Sequence, residues 1–205
     1  MSKKKIIIVI ICAVVVVLAA VMYNRIMNPF NIGIDPLVAS SRQESAGRRF
    51  EISFSYRKQR LVASSQFAIW IEDMDGNYID TLYVTQWTAQ GGYSYRPLSI
   101  PVWVSTALPS EMNLSEIDAI AGATPGNGNY VVSWDFTDRN GNPVTGTQFR
   151  YFIEATMNNN DDVIYTGIIT IGTETWEDIP IPVYSLQDSG YKEMISNVRV
   201  TFHAE

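Results

Sequence analysis

One cysteine and one histidine are all that 205 residues offer to thiol and imidazole chemistry. Cys12 lies inside an apolar run, so the rest of the chain can form no disulfide and no cysteine-ligated metal site. Ile11 before it is too bulky for a lipoprotein cleavage site, and Cys12 reads as a thiol inside a membrane helix. His203 stands near the chain end, where the alternation turns it outward, and no serine has a histidine close by in sequence. Zinc spacing and a phosphate-cradling glycine loop are missing too. Positive charge is scarce: after the first five residues there are 12 Lys/Arg against 21 Asp/Glu. That balance argues against nucleic acid and against anionic lipid head groups as partners. No long amphipathic helical period, internal repeat or low-complexity tract is present.

What is present starts with a membrane signal. Lys3, Lys4 and Lys5 precede an uncharged apolar run from Ile6 to Tyr23, 18 residues long. At ~1.5 Å per helical residue it spans about 27 Å, close to the ~30 Å hydrocarbon core of a bilayer. The lysines favour a cytoplasmic N-terminus (1–5), a single-pass anchor (6–23) and everything after it outside the cytoplasm. A cleaved signal peptide competes, with Leu18-Ala19-Ala20 as a tolerable cleavage pattern before Val21; the length of the run favours the uncleaved anchor. Residues 24–48 have Pro29, Pro36 and no sustained period, and read as a linker.

From Phe50 the period becomes two. "FEISFSY" sets Phe50, Ile52, Phe54 and Tyr56 on one face. "QFAIWIED" repeats this with Phe67, Ile69 and Ile71 inward, and Asp75-Gly76 is a hairpin signal before "YIDTLYVT". Tyr130, Val132 and Trp134 alternate next, then Phe149, Tyr151 and Ile153, then the β-branched "VIYTGIITIG", and last Val198, Val200 and Phe202. At least seven antiparallel strands over 49–205 predict an all-β sandwich of immunoglobulin type.

Residues 86–129 break the pattern, since more than forty residues separate two strands where loops usually have ~4–6. Ser110-Glu111 and Ser115-x-x-Asp118 suggest a short capped helix there. Trp87, Tyr93, Tyr95 and Trp103 make this a candidate binding loop. The competing role is to cap an open end of the sandwich, and that is the reading preferred for Trp103.

Three further stretches bear on chemistry. In "WDFTDRNG", Asp135 and Asp138 suit Asx-type turns, Asn140-Gly141 tolerates positive φ, and Gly146 serves a second turn. A calcium loop is not expected, because the later ligands are missing. The acids Glu72-Asp73-Asp75 and Asp161-Asp162 read as solvated turns.

"FAIWIEDMDGNYIDTLYVT" and "IDAIAGATPGNGNYVVSWDFTDRNGNPVTGTQFRYFIEAT" resemble the predicted periplasmic family called domain of unknown function 2271, over about residues 50–202. The resemblance implies an extracytoplasmic domain found beside membrane proteins of iron and flavin redox systems, with an envelope protein as its partner. "WDFTDRNGNPVTGTQFRY" is similar to immunoglobulin-like modules of flagellar hook-capping and surface proteins, with Phe136 where those have glycine. "DAIAGAT" is similar to the sequence at which flavin transferases join FMN to threonine. That likeness implies Thr124 as acceptor and Asp118 as part of the recognition motif. The residues themselves read more simply as a turn bracketed by Gly122 and Gly126 that feeds the strand at Tyr130, with no cofactor.

Overall fold

A computed structural model describes residues 34–36, 47–58, 65–156, 162–184 and 194–205. The expected anchor at 6–23 with its Cys12, most of the expected linker, and Asp161 lie outside the described residues. Among the described residues no helix is long and apolar enough to cross a membrane. A short strand, β1 (Ile34–Pro36), falls inside the stretch read as a linker.

The strands that follow are β2 (Arg49–Tyr56), β3 (Gln66–Glu72), β4 (Tyr78–Thr85), β5 (Ala121–Gly122), β6 (Gly128–Trp134), β7 (Gln148–Thr156), β8 (Asp162–Thr170), β9 (Trp176–Asp178), β10 (Val183–Tyr184) and β11 (Ile195–His203). They form two sheets. Sheet I has the order β1-β6-β2-β11-β9 and sheet II the order β10-β8-β7-β3-β4-β5. From β2 onward neighbouring strands pair antiparallel, except for the parallel contact of β4 with β5.

Alternation decides which residues meet between the sheets. Phe50, Ile52, Phe54 and Tyr56 are all buried, as are Tyr130, Val132 and Trp134 and, on β11, Val198, Val200 and Phe202. From sheet II they meet Phe67, Ile69 and Ile71, then Phe149, Tyr151 and Ile153. Rings dominate the contact. Trp134 meets Phe149 edge-on at 5.1 Å between centroids, and Phe54 meets Phe67 edge-on at 5.9 Å.

A second core lies on the other face of sheet II. Every residue of β3 is buried, because Ala68 and Trp70 face a layer built from the 86–122 excursion. That layer holds three short helices, α1 (Gln86–Ala89), α2 (Pro101–Ala107) and α3 (Leu114–Ile120). The expected capped helix is α3, but neither Ser110 nor Ser115 caps it. Asn113 does, accepting from the Glu116 amide at 3.1 Å, while the Glu116 carboxylate accepts from the Asn113 amide at 2.8 Å. Trp103 does not close an end of the sandwich. It lies in this second core, fully buried, with its indole N–H donating to Thr81 Oγ1 at 2.9 Å.

Candidate functional site

The excursion is fixed to sheet II by buried polar bonds that the strand pattern did not reveal. Glu154 points out of β7 and accepts from the amides of Val102 (3.0 Å) and Trp103 (2.7 Å), closing the first turn of α2. Thr156 accepts from the Ile100 amide at 3.0 Å. This holds Ile100 at φ 45°, a conformation costly for a β-branched side chain. At the end of β4, Gln66 Oε1 accepts from the hydroxyls of Thr85 (2.7 Å) and Thr88 (2.9 Å), and Thr88 meets Ser99 at 2.7 Å. All of these side chains are at most 2 % exposed, so each unmade bond would carry a desolvation penalty of ~1–3 kcal/mol. Burial, reinforced by the charge of Asp162, pushes the Glu154 carboxyl up to about 8, against the two amide bonds that favour its ionised form.

The candidate loop aromatics divide. Trp103 is buried, whereas Trp87 is 41 % and Tyr95 89 % exposed, with Leu98 also outward and Tyr93 half-buried. The Arg96 guanidinium lies 4.9 Å from the centre of the Trp87 ring and donates to Ser99 at 3.1 Å, which links the exposed indole to the buried network.

At the other end of β4, a cleft of about 250 Å³ opens between α3 and the β6–β7 loop. Tyr78, Met112, Ala119 and Ile120 give it an apolar floor, and Glu116 and Arg139 stand at its rim with 4.0 Å between their charged atoms. Asp118 is on α3 but exposed, and it does not line the cleft.

Thr124 follows in coil and is half-buried. The bracketing glycines do not act through positive φ. Gly122 is a β5 residue, and a Cβ there would stand 2.5 Å from the Tyr83 ring. The Tyr83 hydroxyl donates to Ala123 O at 2.7 Å and the Tyr130 hydroxyl to Gly126 O at 2.9 Å, so two tyrosines hold the segment on either side of Thr124. Asp118 and Thr124 therefore belong to different elements, a helix and an extended strap.

The "DMDGN" and "DRNGN" loops share one geometry. Asp73 accepts from the amides of Asp75 (2.9 Å) and Asn77 (2.8 Å), and Asp138 from those of Asn140 (2.8 Å) and Asn142 (2.9 Å). Gly76 (φ 88°) and Gly141 (φ 80°) occupy the same left-handed place in each. Hydrogen bonds from Asn77 and from Asn142, respectively, hold both carboxyls below the usual carboxylate range. Asp75-Gly76 is thus part of a five-residue Asx loop. Asp135 accepts from the Thr137 hydroxyl at 2.6 Å, and Gly146 has φ 137° beside the Phe149 ring.

Two acids and the histidine are less solvated than their sequence contexts suggest. Glu72 is buried, accepts from the Trp70 indole at 2.9 Å and pairs with Arg150 at 3.4 Å. Asp162 is half-buried, and burial pushes its carboxyl up to about 6. His203 Nε2 lies 2.8 Å from Glu51, which also accepts from Arg49 at 2.7 Å; all three are on the outer face of sheet I.

The family of predicted periplasmic proteins DUF2271 matches residues 48–180. The chain belongs to that family. Membership sets the domain among extracytoplasmic proteins, and the matched span holds the excursion, the cleft and both Asx loops but stops short of β11. No curated protein and no solved structure matches the chain. The likeness of residues 134–151 to hook-capping and surface-protein modules finds no support in these comparisons. DUF2271 brings a location and no reaction.

Proposed function

We propose that this DUF2271 protein is a membrane-anchored extracytoplasmic interaction or accessory protein. In this reading residues 6–23 are the anchor, the two-sheet domain is immunoglobulin-like, and the protein supports an envelope complex such as an iron or flavin redox system. Support for the immunoglobulin-like arrangement comes from the way the chain changes sheet between β2 and β3, between β6 and β7, and between β8 and β9. The observation that carries the binding role is the excursion. It is fastened to the sheet by buried bonds, yet it turns Trp87, Tyr95 and Leu98 to solvent. A rigid base with exposed aromatic anchors is what an interface hot spot requires. A photo-crosslinking residue at Tyr95, introduced in native membranes, is expected to capture one envelope protein. The same residue at Ser133, exposed on sheet I, is expected to capture none. Equal labelling from both positions would defeat the reading.

The alternative is an electron-transfer protein with FMN joined to Thr124. Its support is that Thr124 stands in coil and is partly exposed, where a transferase could reach the hydroxyl. The intact mass of protein from its native host distinguishes the two.

A further inference from the structure

The cleft between α3 and the β6–β7 loop has a chemistry that the interaction reading leaves unused. Its floor is apolar, from Tyr78, Met112 and Ile120. Its rim carries one charge of each sign, Glu116 and Arg139, whose nearest charged atoms are 4.0 Å apart, beyond hydrogen-bonding distance. Arg139 makes no hydrogen bond among the described residues, so its guanidinium donors remain available. Glu116 uses one carboxylate oxygen in the α3 cap, leaving the oxygen that faces Arg139. Asn140 also lines the cleft, held by Asp138 through its backbone amide at 2.8 Å and through its side chain. At ~30 Å³ per water, 250 Å³ is room for about eight waters, which suits a group the size of one amino acid.

We propose that this cleft binds an apolar α-amino acid as its zwitterion. The ammonium group pairs with Glu116, the carboxylate with Arg139, and the aliphatic side chain covers Met112, Ile120 and the Tyr78 ring. Each charged contact alone is weak at a solvated rim, so recognition depends on both charges and the apolar floor together. The proposal stands apart from partner docking at Tyr95, and either can fail without the other.

The test is titration of the full-length protein with L-leucine, N-acetyl-leucine and leucinamide, followed by calorimetry or ligand-observed NMR. Leucine is expected to bind at least tenfold more tightly than either derivative, each of which lacks one charge. Arg139→Gln and Glu116→Gln should each weaken leucine at least tenfold. Glutamine at 116 can keep the helix cap, so loss of binding there is not loss of fold. Ala119→Trp, which fills the cleft and spares both charges, should abolish binding. No leucine binding would overturn the proposal. So would leucinamide or N-acetyl-leucine binding as well as leucine, or binding that survives Ala119→Trp.

Discussion

The Tyr83 hydroxyl donates to the carbonyl of Ala123 at 2.7 Å, and the same ring stands where a side chain on Gly122 would have to go. The glycine of the Gly-Ala-Thr run is thus required by the approach of an aromatic ring. Gly122→Ala is expected to destabilise the domain by about 1–3 kcal/mol, the cost of overpacking a fitted contact. Tyr83→Phe should cost about 1 kcal/mol, since it loses one hydrogen bond and keeps the ring. In the double variant the Gly122→Ala cost should persist, because phenylalanine occupies the same space. Urea denaturation of the three variants checks this.

Phe136 sets two effects against each other. It sits at φ 63°, where glycine is easier, yet its ring is buried against Trp134 at 4.6 Å and Phe202 at 5.9 Å. Losing a buried phenylalanine costs ~3–5 kcal/mol, whereas left-handed strain in a non-glycine residue is ~1–2 kcal/mol. Phe136→Gly should therefore destabilise overall. It should also be about 1 kcal/mol more stable than Phe136→Ala, the reverse of the usual order of alanine and glycine. An alanine variant more stable than the glycine variant would refute the strain.

The strands were legible because β2, β6 and β11 each bury one face only, as does the first half of β7, and their alternation records it. β3 misled. "FAIWI" is apolar throughout, the mark of a strand covered on both sides, but alternation alone assigned Phe67, Ile69 and Ile71 and left Ala68 and Trp70 without a partner layer. The covering layer was hard to see because its helices are only four to seven residues long, too short for a helical period. Asn113-x-x-Glu116 is a capping box in plain sequence, hidden among serines that could equally have capped. Glu154 and the cleft were not legible, because they depend on which residues of the excursion come to rest on β7 and β4.

Trp103 and Tyr95 test that layer. Trp103→Ala is expected to cost ~3–5 kcal/mol, as for a buried aromatic in any core. Tyr95→Ala, at 89 % exposure, should fall within about ±0.5 kcal/mol. Thermal unfolding of both variants decides whether the excursion is part of the folding unit. A loss below ~1 kcal/mol for Trp103→Ala would mean that it is only loosely attached.

Glu154 predicts a pH dependence of definite sign. Burial, with the Asp162 charge, raises its carboxyl from the ordinary 4.5 to about 8 in the folded protein. Between those values the folded state holds a proton that the unfolded chain has released, so stability falls as pH rises through this window. Asp162, raised by burial from 3.8 to about 6, adds the same sign over its own lower range. Glu154→Gln should flatten the decline between pH 6 and 8. At pH 5 the variant should be less stable than the parent, since the glutamine amide offers one acceptor oxygen to two backbone N–H donors. A parent whose stability rises from pH 6 to 8 would show that the amide bonds outweigh burial.

Thr124 can be decided by mass. The strap that carries it is pinned by Tyr83 at Ala123 and by Tyr130 at Gly126, and Pro125 between them fixes φ at about −65°. We propose that Thr124 serves there as scaffold. Thr124→Val is then expected to change stability by less than ~1 kcal/mol, and the parent and variant from the native host should both be colourless and match their sequence masses. Under the flavin alternative the parent is yellow and carries one added FMN, and Thr124→Val removes both the colour and the mass. The native host is needed because the transfer requires its own transferase. Thr124 does not line the α3 cleft, so an adduct there would begin on the strap. The exposed Trp87 or Tyr95 would then be the rings to substitute next, with the flavin fluorescence yield as the readout of stacking.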